Sequence, residues 1–196
     1  MTKFLLFFII ISSLTACSNN NFESKNIGGT RFYTLSSPSH NTPSNGNLRI
    51  GVGPIEIPQL INRPQIVSRK NGTEIIMSES NQWAGSHREE IIQAIIDNLS
   101  STLKTENVEP YPWKFAFKPN YQVRINIERF DGELGKNAIF KARWKLIKDN
   151  KEVLVKRAII QTKMKGNSYN EYVKTLNELL KKFSQSIAKQ IHARPN

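Results

Sequence analysis

The sequence predicts an α+β fold, a two-layer α/β sandwich in which a mostly antiparallel sheet packs against two amphipathic helices, and three observations lead there. Two segments open with the capping-box form, Ser86-His87-Arg88-Glu89 and Ser168-Tyr169-Asn170-Glu171, and each runs into apolar residues at helical spacing. Residues 121–127 and 140–146 instead alternate apolar and polar side chains strictly, the pattern of strands buried on one face. Several shorter strand-like segments surround these. Helices and strands that each carry one apolar side bury it most simply as a helix layer on a sheet layer.

The elements follow in chain order. A short strand is expected at residues 31–35, then an exposed loop over residues 36–47, where SSPSHNTPSNGN concentrates turn-forming residues. Leu48, Ile50 and Val52 alternate with Arg49 and Gly51, and the alternation resumes out of phase at Ile55 and Ile57 after Gly53-Pro54; this is one strand with a bulge or kink at the Gly-Pro pair. Residues 65–68 and 74–77 form a hairpin whose turn uses Asn71-Gly72. A helix over about residues 87–104 places Ile91, Ile92, Ile95, Ile96, Leu99 and Leu103 on one face.

The next stretch, NVEPYPWKFAFKPNY from Asn107 to Tyr121, has prolines at 110, 112 and 119 that exclude a helix interior, so it is an edge strand or a loop. After the two alternating strands a turn at Asp149-Asn150 leads to a strand over residues 153–164. A long helix follows, marked by Tyr172, Val173, Leu176, Leu179, Leu180, Phe183, Ile187 and Ile191. Residues 31–194 are read as one domain.

The front of the chain, MTKFLLFFIIISSLTAC, has the outline of a secretory signal peptide over residues 1–16. Its apolar run is shorter than the roughly 20 residues a membrane helix needs. The residues Leu14-Thr15-Ala16-Cys17 resemble the bacterial lipobox, which implies cleavage before Cys17 and a covalent lipid there, an S-diacylglycerol and an N-acyl chain such as palmitate. Cys17 is the one cysteine of the chain, so no internal disulfide can form in an oxidising compartment, and lipidation accounts for it. Two or more acyl chains give stable anchoring where one is marginal. Ser18 follows the cysteine in place of Asp, which in a two-membrane host resembles the pattern for outer-membrane sorting, facing the periplasm. Residues 17–30 then read as a polar tether holding the domain about 20 Å from the lipid.

The net charge of +12 loses only Lys3 with the signal, so the exported chain stays strongly basic. For an exported protein the acidic counterpart is anionic lipid, lipopolysaccharide phosphate or an acidic protein, with nucleic acid not expected. The plainer reading is a basic background composition. Catalysis and metal binding find little support. His40, His87 and His192 have no Cys or His partner at ligand spacing, and nucleophile-elbow, phosphate-loop and metalloprotease motifs are missing. Apart from the covalent lipid, no cofactor or enzymatic activity is expected.

Two surfaces are candidates for contact. Tyr111, Trp113, Phe115, Phe117 and Tyr121 cluster in the proline-rich stretch, either as a contact surface for lipid or a partner or as a cover for one end of the core. Arg124, Lys141, Arg143 and Lys145 share the polar faces of adjacent strands, with Lys156 and Lys163 near them, either as a basic docking face or as an ordinary solvated sheet face.

The motifs together resemble the PqiC-like lipoproteins, the ABC-type transport auxiliary lipoproteins of the YmbA type. The resemblance rests on LTAC, RFYTL from Arg31, GVGPIEIPQLINRPQIVSR from Gly51, SNQWAGSHREEIIQAIIDNL from Ser80, YPW at Tyr111, and YQVRINIERFDGELG through ARWKL. It departs from the family's usual continuation at Gly85-Ser86-His87. The resemblance implies an outer-membrane, periplasm-facing lipoprotein that works with a periplasmic MCE-domain protein and an inner-membrane component, moves lipid between membranes and supports envelope integrity. Arg63, Arg69, Trp83 and Trp113 become candidate partner contacts. The alternative for the two arginines and Trp83 is structural: Arg63-Pro64 fixes the start of a strand and Trp83 fills the core. A lipid or hydrophobic-ligand carrier, or an assembly lipoprotein contacting lipopolysaccharide, are the competing functions, and a homo-oligomer is open.

Overall fold

A computed structural model describes residues 29–35 and 47–194. The expected signal peptide, most of the tether with Cys17, and nearly all of the 36–47 loop lie outside the described residues. In chain order the elements are β1 (Arg31–Tyr33), β2 (Ile50–Glu56), β3 (Gln65–Lys70), β4 (Glu74–Trp83), α1 (His87–Leu103), β5 (Val108–Pro110), β6 (Tyr121–Gly132), β7 (Asn137–Lys148), β8 (Lys151–Lys163) and α2 (Tyr169–His192).

Both helices start where their caps require. The Ser86 hydroxyl accepts from the Glu89 amide, and the Ser168 hydroxyl accepts from the Glu171 amide. Helix α1 stops at Lys104, whose left-handed backbone lets its amide donate to the Ser100 carbonyl. The expected turns are also present: Asn71 and Gly72 carry positive φ between β3 and β4, and Asp149 and Asn150 do so between β7 and β8.

The architecture is the expected α+β sandwich, with the strands divided between two sheets. A five-stranded sheet runs β5-β2-β6-β7-β8 and a three-stranded one β1-β4-β3. The long ladders β6–β7, β7–β8 and β3–β4 are antiparallel, whereas β2 pairs in parallel with both β5 and β6, and β1 with β4. In β2 the register shifts between Val52 and Ile55, which places Ile50, Val52 and Ile55 all in the core despite the change of phase.

Helices α1 and α2 cover one face of the large sheet. There Val123, Ile125, Ile127, Ala142, Trp144 and Leu146 meet Leu176, Leu179, Phe183 and Ile187, all of them buried. The two sheets join where β3 passes the end of β6, at a bridge between Arg69 and Glu133. The Tyr172 hydroxyl of α2 ties this junction, donating to the Val67 carbonyl at 2.9 Å and accepting from the Gly132 amide at 2.7 Å. Burial and the nearby Asp131 carboxylate push its ionisation upward, so it stays a neutral donor.

Candidate functional site

Among the described residues, no helix lies over the other face of the five-stranded sheet. Directly paired residues of antiparallel strands point to the same side. Arg124 therefore stands beside Lys145, and Lys145 beside Val155; Asn126 stands beside Arg143, and Arg143 beside Arg157; Lys141 stands beside Ile159. Four predicted basic residues are thus brought together on one exposed surface. Val155 and Ile159, 54% and 63% exposed, add apolar area among them.

The charges are partly neutralised within the face. The Glu128 carboxylate accepts from Arg143 Nε at 2.9 Å and from Arg157 Nη2 at 2.6 Å. The Arg157 guanidinium foremost, and then Arg143, hold the Glu128 carboxyl below its ordinary range. Lys145 pairs with Glu152 at 2.7 Å. Arg124 and Lys141 have no acidic partner among the described residues. An open depression of about 530 Å³ lies here, walled by Pro54, Glu56, Arg124, Arg143, Lys145 and Val155. A second, of about 410 Å³, lies between Trp113, Phe117, Lys118 and Asp149.

Trp113 closes that end of the face. Its ring lies on Gly51 of β2 and packs edge-on against Tyr111, at 5.4 Å between centroids, and tilted against Phe117, at 6.3 Å. The proline-rich stretch is an edge strand, β5, followed by a loop, and its aromatics divide: Tyr121 is buried, whereas Tyr111 and Phe115 are exposed.

The other candidates from the RPQIV block fall elsewhere. Trp83 is 4% exposed and stacks on the His87 imidazole at 4.0 Å, so the expectation of a partner contact is corrected to a core role, because β4 turns that side chain inward. Arg69 is bound to Asp131 by Nε at 2.9 Å and Nη2 at 2.9 Å, and Arg129 Nε reaches the same carboxylate at 2.7 Å. Asp131, 2% exposed, thus clamps the two sheets together. Arg63 donates from Nη1 to Met77 Sδ at 2.8 Å. Lys163 pairs with Asn137 toward the far end of the same open face. Lys156 is the second correction: its register partner is the buried Trp144, so it points to the helix side, near Ser186 and Gln190.

Sequence reasoning gave no role to Glu128, which it placed on the polar face of its strand, and missed Asp131. Glu128 was open to detection, since it continues the outward series Gln122, Arg124, Asn126. Asp131 was not, because a register shift between Ile127 and Arg129 reverses the phase before it. Among the described residues no group of three or more His, Cys, Asp or Glu is placed to hold a metal ion, and no helix is long and apolar enough to cross a membrane.

The fold defines a class of small α+β domain in which helices seal one side of a mostly antiparallel sheet, and solved structures share that fold. A crystal structure of an uncharacterized protein superposes with a TM-score of 0.69 at 18% identity, covering 83% of this chain and 99% of the other. A crystal structure from Xanthomonas campestris reaches 0.60 at 14% identity, covering 82% and 90%. At these identities the likeness concerns the fold alone. The family model for the ABC-type transport auxiliary lipoprotein component matches residues 33–188, and the chain belongs to that family. It is 24% identical over 165 residues to the intermembrane transport lipoprotein PqiC of Escherichia coli (strain K12), covering 82% of this chain and 84% of the relative, with the same figures for PqiC of Shigella flexneri.

Proposed function

We propose that this chain is the outer-membrane lipoprotein subunit of an intermembrane lipid transport system, anchored through diacylglycerol and acyl chains on Cys17 and facing the periplasm. It acts by binding, not by catalysis. Its open sheet face docks an acidic surface on a periplasmic MCE-domain protein, which connects it to an inner-membrane component and so supports envelope integrity. The family match and the likeness to PqiC support the transport role, and the LTAC sequence with Ser18 supports the anchor and its location.

The observation that carries the docking surface is the asymmetry of the sheet. One face is sealed by two helices, while the other holds Arg124, Arg143 and Lys145 around an open depression, with Lys141 farther along the same face. A flat cationic face recruits an acidic partner quickly and orients it.

The test is a pull-down from detergent-solubilised envelopes with a C-terminal tag, comparing wild type, Cys17→Ala and the pair Arg124→Glu with Lys145→Glu. An MCE-domain protein is expected with wild type, strongly reduced by the face variant and reduced by loss of the anchor. Absence of any MCE protein under mild detergent and cross-linking overturns the reading. Lipid extracted with the pure protein would then favour a carrier, and salt-sensitive binding of lipopolysaccharide an assembly role.

A further inference from the structure

The turn at the centre of the proline-rich stretch holds a side chain that the fold does not use. The Phe117 amide donates to the Lys114 carbonyl at 2.9 Å, so Phe115 and Ala116 form the corner of a tight turn. Phe115 is 99% exposed. The loop is nevertheless braced at each end and in the middle. The Tyr111 amide donates to the Val52 carbonyl at 2.8 Å, the Asn120 amide to the Arg49 carbonyl at 2.8 Å, and Trp113 is wedged between Gly51 and the Tyr111 and Phe117 rings. A phenyl ring is therefore held out in water by a fixed support.

Its surroundings are graded by polarity. Lys114 and Lys118 flank the tip, both exposed and without an ion-pair partner among the described residues. Behind them stand Tyr111 and Trp113, amphipathic rings of the kind that settle at a membrane–water boundary. The acid facing this group is Asp149, across the second depression from Lys118. A convex apolar tip with cations behind it needs no complementary pocket. It suits a surface that yields to it and carries negative charge, which an anionic bilayer does.

We propose that residues 111–120 form a second membrane contact, in which Phe115 enters the acyl region of an anionic phospholipid bilayer while Lys114 and Lys118 meet lipid phosphates. The inference rests on reading Cys17 as the lipid-bearing residue, because an anchor joined by a short tether holds the domain close to the bilayer surface.

The test uses the full chain as isolated from envelopes, reconstituted into phosphatidylethanolamine–phosphatidylglycerol vesicles whose acyl chains carry bromine, a short-range quencher of tryptophan. Trp83 and Trp144 are buried, so Trp113 is the tryptophan placed to approach the acyl chains. Quenching is expected in wild type and lost in Trp113→Phe. The inserted fraction should fall about tenfold in Phe115→Ser, an exposed position whose change leaves the fold intact, given the transfer free energy of one phenyl group. Lys114→Glu with Lys118→Glu, or vesicles of phosphatidylcholine alone, should weaken it further.

Vesicle-bound chain quenched no more than Trp113→Phe overturns the proposal, as does equal quenching in neutral and anionic vesicles. A Trp113 response seen only on adding an MCE-domain protein also overturns it and assigns the loop to protein docking. The intact mass of the same sample reports lipid on Cys17 separately. Lipidated chain without quenching sinks the loop contact alone, and quenching without lipid sinks the anchor alone.

Discussion

The six-membered ring of Trp113 occupies the space that a side chain on Gly51 would need: a β-carbon there would lie 2.6 Å from Cζ3 and 2.8 Å from Cη2. Glycine in the middle of β2 is thus the condition for the aromatic loop to lie flat on the sheet. Gly51→Val should lift the indole without unfolding the domain, at a cost of about 1–3 kcal/mol for forced repacking. Urea unfolding measures the cost, and a red shift of tryptophan emission shows the displacement. Unchanged emission would mean that the loop is not seated on Gly51.

Asp131 is the shared partner of Arg69 and Arg129 and sits almost wholly buried at the junction of the two sheets. Removing the carboxylate leaves two guanidinium groups, each mostly covered, with no counter-charge. Asp131→Ala should therefore cost about 3 kcal/mol or more in urea unfolding. Arg69→Met should cost less, because Arg129 still faces the carboxylate. A double-mutant cycle giving no coupling between positions 69 and 131 would refute the clamp.

Tyr172→Phe removes one oxygen atom and leaves the ring. The Val67 carbonyl loses its donor and the Gly132 amide its acceptor, so about 1–3 kcal/mol of stability should disappear. Hydrogen exchange at Gly132 should also quicken, since its amide donates to that hydroxyl. A variant as stable as wild type would show that packing, not the hydroxyl, joins α2 to the sheets.

His87 lies buried between Trp83, at 4.0 Å, and Phe130, at 6.0 Å, and its Nδ1 has no hydrogen-bond partner among the described residues. Burial lowers its pKa from 6.5 to about 3. Between those values the unfolded chain takes up a proton that the folded chain refuses. The stability contributed by the neutral ring is thus complete above pH 6.5 and falls as the pH drops toward 3, by at most about 1.4 kcal/mol per pH unit. His87→Phe should remove this slope. The difference between variant and wild type in the stability lost from pH 7 to pH 4 should reach up to about 3 kcal/mol in paired urea titrations; identical losses would show that the imidazole protonates freely in the folded state.

Local rules were enough for much of this molecule. Ser86 and Ser168 start their helices where a hydroxyl can meet an orphan amide, and Asn71-Gly72 and Asp149-Asn150 turn because those residues tolerate positive φ. The alternation in β6 and β7 set Arg124, Lys141, Arg143 and Lys145 on one face before any neighbour was known, since side chains in a strand alternate by a period of two. Other features depend on which strand meets which, and pairing at a distance leaves no mark on adjacent residues. The parallel seat of β2 between β5 and β6, and the division into two sheets, belong to this group. So do the inward turn of Trp83, the helix-side position of Lys156 and the burial of Asp131 beneath Arg69. In each, a register shift or a second sheet decides the environment of a side chain whose own identity permits either. The sequence by itself determined the elements and the charge of the open face; only the tertiary structure decided what that face leaves uncovered, because burial is a property of neighbours brought from elsewhere in the chain.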